Sequence, residues 1–251
     1  MKLRNRSILQ IICLLVFFPM VSLAQVGDYR SDLAIGFNGG YMLSNVGFTP
    51  KVNQTFHGGL TGGLSFRYVC EKYFNSICSI YAELNYAQMG WKEDILDRED
   101  QPVINEETQV KEEYSRTLNY VQLPVFARLG WGKEQKGFQF FFQAGPQVGY
   151  YLSDKETKNF ELDKRNSWKR ANDEVHQDTM AVENKLDYGI AAGLGMEYSL
   201  PKAGHMMLEL RYYYGLGNIY KDTKRDYFGK SNNSSIILKL TYLFDLKKTK
   251  Q

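Results

Sequence analysis

Apolar and polar residues alternate with a period of two in eight segments of the chain. They are roughly 33–43, 55–70, 78–91, 115–129, 138–152, 185–199, 205–216 and 234–246. Successive side chains of a strand point to opposite faces, so each segment predicts a two-faced β-strand. In the last, Ile236, Leu238, Leu240, Tyr242 and Phe244 share one face, while Lys239, Thr241 and Asp245 lie on the other with Ile237 and Leu243. In the seventh, Met206, Leu208, Leu210, Tyr212 and Tyr214 oppose His205, Glu209 and Arg211. The 18 Tyr, 15 Phe and 22 Gly beside only 6 Pro suit aromatic, glycine-tolerant strands.

A soluble antiparallel barrel and a membrane barrel both fit this pattern, and three features favour the membrane. Connections alternate in length: those at 44–54, 92–114, 153–184 and 217–233 are long, and those at 71–77, 130–137 and 200–204 are short. Outer-membrane barrels have long outer loops and short periplasmic turns. Tyr41, Phe56, Tyr86, Tyr150, Tyr188 and Tyr214 fall at one end of the strands, and Tyr68, Phe138, Tyr198 and Phe244 at the other. All have apolar-face parity, as two aromatic girdles require. Finally, Arg67, Glu83, Arg128, Glu197, Glu209, Arg211 and Lys239 all take the opposite, lumenal parity. An Arg or Lys facing lipid at the midplane costs about 2–4 kcal/mol. The expected fold is therefore all-β, an eight-stranded antiparallel transmembrane barrel with periplasmic termini.

Lys2, Arg4 and Arg6, an apolar run from Ile8 to Val21, and Ser22-Leu23-Ala24 read as a signal peptide over residues 1–24. Residues 25–251 then form the barrel domain, exported to the cell outer membrane. The 31 basic residues less those three equal the 28 acidic ones, so the mature chain is neutral. That gives no basic face for nucleic acid. Cys70 and Cys78 share lipid-face parity on one hairpin, so a disulfide is expected between them.

An eight-stranded barrel is filled by its own side chains. The seven lumenal charges fit either an internal salt-bridge network or a gated polar pore. His57 shares its face with Thr61 and Ser65, His205 sits at one rim, and His176 lies in the longest loop. No motif joins any of them to a nucleophile and an acid. No catalytic residue, cofactor or metal ligand is expected.

Tyr120-Val-Gln-Leu-Pro-Val-Phe-Ala-Arg-Leu-Gly130 and Gly145-Pro-Gln-Val-Gly-Tyr-Tyr-Leu-Ser-Asp154 resemble motifs of the PorT-like outer-membrane β-barrel family of Bacteroidetes. Gly36-Phe-Asn-Gly-Gly-Tyr41 and the Ala24-Gln25 junction are similar to that family too. The C-terminus is a departure: many outer-membrane barrels end on an aromatic residue, whereas here Asp245 to Gln251 extend past Phe244. The resemblance implies fold and location, and, through the name-giving member, a helper of protein secretion. A shared barrel does not transfer a role. The expected function is a non-enzymatic structural or accessory barrel contacting outer-membrane lipid and an envelope or secretion-machinery protein. The alternatives are a small-solute channel and an outer-membrane lipid-modifying enzyme.

Overall fold

The computed structural model describes residues 27–134, 136–161, 169–171, 177–200, 203–221, 223 and 226–249. The expected signal peptide and His176 lie outside these residues. The strands are β1 (Asp28–Thr49), β2 (Gln54–Thr55), β3 (His57–Tyr73), β4 (Ser76–Glu93), β5 (Tyr114–Gly132), β6 (Gly137–Lys158), β7 (Leu186–Leu200), β8 (Gly204–Gly215) and β9 (Lys230–Lys247). All pairings are antiparallel. The ring runs β4-β3-β1-β9-β8-β7-β6-β5 and returns to β4. β2 pairs with β4 just beyond β3, so it prolongs the β3 position past a break at Phe56. Nine strands thus occupy the eight expected positions.

Every long strand alternates buried and exposed residues, and the exposed positions of the wall are mostly apolar. Phe37, Leu60, Ile80, Phe140, Leu194, Leu208 and Leu240 are all exposed on the outer wall. In a soluble protein so large an apolar surface would demand a partner; in a bilayer it is the lipid contact. The expected girdle residues all point outward, although Tyr198 is half-buried against the Phe138 ring, centroid to centroid 4.8 Å.

Strands overrun the sequence expectation at the end carrying the long connections, here the loop end. A bilayer strand needs about 9–11 residues, whereas β1 and β6 each have 22. The first long connection therefore shrinks: Ser44, Val46 and Phe48 keep alternating inward, and β1 pairs with β9 as far as Thr49↔Lys230. At the opposite, turn end, β1 begins and β9 finishes, beside the hairpins β3–β4 and β5–β6.

The expected Cys70–Cys78 disulfide is not formed, and both residues are free thiols. A bulge between Val69 and Glu71 shifts the register and sets Cys78 opposite Glu71. Parity counted along the sequence runs straight through that bulge, which adds one residue to one strand only.

Candidate functional site

All seven expected lumenal charges are buried inside the barrel, in two groups. In the middle group, Arg211 donates to Glu83 at 2.8 and 3.0 Å and to Glu209 through Nε at 2.8 Å. Lys239 donates to Glu83 at 2.7 Å, and Gln143 to Glu209 at 2.8 Å. Asn85 donates to Glu83 at 2.7 Å and accepts from Asn38 at 2.9 Å. In the group toward the turn end, Glu197 accepts from Arg67 at 2.6 Å and also from Arg128. Each of these seven charges thus has an opposite charge in contact, as burial demands.

An aromatic layer separates the groups. The Arg128 guanidinium lies 3.9 Å from the centre of the Phe141 ring, and that of Arg211 lies 4.5 Å from Phe126. Tyr81 stacks on Phe126 at 6.5 Å and donates to Ser65. A cation over a ring face gains about 0.5–2 kcal/mol when desolvated. Glycine makes room for the carboxylates: a β-carbon at Gly193 would sit 2.3 Å from Glu209 Oε1.

The loop end is also filled. Phe48 packs edge-on against Trp91 at 5.4 Å and against Phe228 at 4.8 Å, with Tyr220 stacked on Phe228 at 5.8 Å. Arg116 donates to Asp154 and to the Met180 carbonyl, both at 2.6 Å. Gln177 donates to Glu93 at 2.8 Å, and Tyr220 to the Gln177 carbonyl at 3.0 Å. Arg170 pairs with Glu112 at 2.7 Å, both fully buried, and the Ala171 amide bonds the Leu96 carbonyl. Residues from three long connections therefore share one core above the barrel. Burial there pushes the Glu93 carboxyl up to about 7, with the Asp178 carboxylate adding to the rise, against the hydrogen bonds from Gln177 and Trp91 and the charge of Arg170.

The turn end stays open. A cavity of about 200 Å3 descends to Arg67, Arg128 and Glu197, walled by Val69 and Ile77. The tail after β9 crosses its mouth, where the Ser31 amide donates to Thr249 Oγ1 at 2.9 Å. His205 lies beside the floor. Its Nε2 is 3.0 Å from Asp245, and its Nδ1 is 2.7 Å from Glu197 and 3.0 Å from Ser199 Oγ. Ser, His and Asp are thus adjacent, a contact the sequence reading missed, although His205 and Asp245 share lumenal parity. Both ring nitrogens face carboxylates, which suits the imidazolium, with no lone pair left to activate Ser199. His57 does not join Thr61 or Ser65; its Nε2 meets Thr117 Oγ1 at 3.1 Å. Among the described residues no group of three or more His, Cys, Asp or Glu is placed to hold a metal ion.

Residues 23–221 match the family described as outer membrane protein beta-barrel domain. No curated protein matches the chain. Similar solved structures include OprG from Pseudomonas aeruginosa (12% identity, 87% of this chain, 98% of that one, TM-score 0.40). The attachment invasion locus protein Ail of Yersinia pestis is also similar (12% identity, 86% and 99%, TM-score 0.34). So is Neisserial surface protein A (8% identity, 84% and 95%, TM-score 0.35). The chain belongs to the outer membrane protein beta-barrel family.

Proposed function

From a member of that family with this interior, we propose a closed, non-enzymatic outer-membrane barrel, structural or accessory to an envelope process. Its folded loop-end cap is the contact surface. One observation carries the reading: side chains bridge the lumen from wall to wall, Arg211 to Glu83 and Arg67 to Glu197, beneath a cap with its own aromatic core. Buried charges paired this way resist an open aqueous path, because separating them leaves an uncompensated charge.

The finer assignments belong to the same proposal. Residues 1–24 are removed on export, both termini face the periplasm, and the partner is a protein of the envelope. A part in protein secretion rests on the PorT-like resemblance alone.

Planar-bilayer recording tests the closed barrel. Purified protein is expected to insert without stable conductance steps. Reproducible ohmic steps that change on neutralising Arg211 or Glu209 would replace this reading with a channel. Co-purification in mild detergent from the native membrane, read by mass spectrometry, tests the accessory role. Stoichiometric companions are expected, and a barrel that is always recovered alone would remove that role.

A further inference from the structure

The open vestibule at the turn end has no place in the function proposed above. Its floor is richer in donors than in acceptors. Arg67 and Arg128 converge on the one carboxylate of Glu197, which also faces His205. Arg67 is only 7% exposed, and its Nε has no acceptor. One terminal nitrogen of Arg128 points at the Met207 sulfur, 3.3 Å away. A thioether is a weak acceptor, so that N–H is poorly satisfied. A buried donor left unmade costs about 1–3 kcal/mol, more when charged. Arg67 also lies 4.0 Å from Asp245, so the two guanidinium groups face two carboxylates, and the excess at the floor is one of unmet N–H donors rather than of charge.

The rim differs. Asp245 pairs with His205 and Lys248 and reaches down to Arg67 at 4.0 Å, and Glu134 pairs with Arg30 and Lys72. Rim carboxylates are therefore engaged, and the unmet demand lies at the bottom. The cavity of about 200 Å3 holds several waters or one small solute.

We propose that this vestibule binds a small oxyanion, a phosphate or carboxylate group, on the donors of Arg67 and Arg128. Planar guanidinium groups match such oxygens in pairs. The oxyanion reaches them along the barrel axis from the turn end, past Lys248. A free solute and the headgroup of a lipid at the mouth supply the same chemistry, and the test separates them.

The test uses the whole protein in maltoside detergent, which carries no phosphate, with inorganic phosphate as the probe. The arginine Nε–H resonances are followed by NMR. A saturable shift of the Arg67 signal is expected. Binding should weaken about tenfold or more in Arg67→Gln, as loss of a charge-assisted bond implies. Lys248→Glu, at an exposed position, should weaken it several-fold without touching the barrel wall, so a failure of Arg67→Gln to fold does not end the test. Repeating the titration in nanodiscs of phosphatidylglycerol identifies the source. If phosphate still saturates the site, the ligand is a free solute; if the Arg67 signal is already shifted and no longer responds, it is a lipid headgroup. A linear, non-saturating response in maltoside, or affinity unchanged in both variants, would overturn the proposal.

Discussion

Arg211 and Glu83 join opposite walls of the barrel. The guanidinium on β8 donates at 2.8 and 3.0 Å to the carboxylate on β4, four positions away around the ring in either direction. With Arg211 removed, Glu83 and Glu209 would share Lys239 as the nearby cation. Breaking a buried pair from one side costs about 3–5 kcal/mol. Arg211→Met is therefore expected to lower markedly the temperature at which the folded band is lost on an unboiled detergent gel. A midpoint equal to that of the unaltered chain would show that the strut contributes nothing.

Gly193 should be coupled to Glu209. A β-carbon there would meet the carboxylate oxygen at 2.3 Å, so Gly193→Ala must push Glu209 off Arg211. Unfolding in urea should show Gly193→Ala destabilised by about 1–3 kcal/mol. With Glu209→Ser added, the double variant should be more stable than the sum of the two singles by about 0.5–3 kcal/mol. Strict additivity would mean that the glycine serves the backbone alone.

The wall of this barrel was legible because lipid and lumen impose a period of two. Phe37 and Asn38, or Leu238 and Lys239, announce their faces without any knowledge of partners. The seven charges that share the opposite parity are buried in the structure. Parity could not say which charge meets which, since Arg211 and Glu83 are 128 residues apart and nothing local links them. Tyr81, Phe126 and Phe141 share the charged face, and their role as a layer between arginines appears only on closure. The cap was hidden for a related reason. Phe48, Trp91, Tyr220 and Phe228 are isolated aromatics that form a core only when the connections fold together. The cysteines failed at a bulge, where counting by twos slips.

Cap stability should depend on pH through Glu93. Its carboxyl titrates near 7 in the folded cap, above the ordinary 4.5. A raised carboxyl favours the folded form fully below pH 4.5, and this support is lost as pH rises through about 7. Hydrogen exchange at the Val103 and Glu112 amides, bonded to Ile95 and Val103, reports on the cap. Corrected for intrinsic rates, protection should fall between about pH 5 and about pH 7, by at most about tenfold per pH unit for one proton, and level off above that. Glu93→Gln should flatten the profile. A slope that survives in Glu93→Gln would move the titration to another group.

Cys70 and Cys78 should both react as thiols. Unreduced protein unfolded in denaturant with a maleimide is expected to carry a label at each, read by peptide mapping. Two unlabelled cysteines would establish the bond that the register in the structure leaves unmade.

The ladder of β1 against β9 runs from Leu33↔Lys247 to Thr49↔Lys230 and is backed by the Ser31–Thr249 bond. It joins the beginning of the barrel to its end, so assembly has a timing rule. Until Lys230–Lys247 has emerged, β1 has no neighbour on one side, and hydrocarbon offers its amides nothing. A chain halted before β9 leaves β8 as well as β1 with an unpaired edge, since β9 lies between them. The last strand to be made is thus the one that satisfies the first, and closure of the ring depends on both ends of the chain.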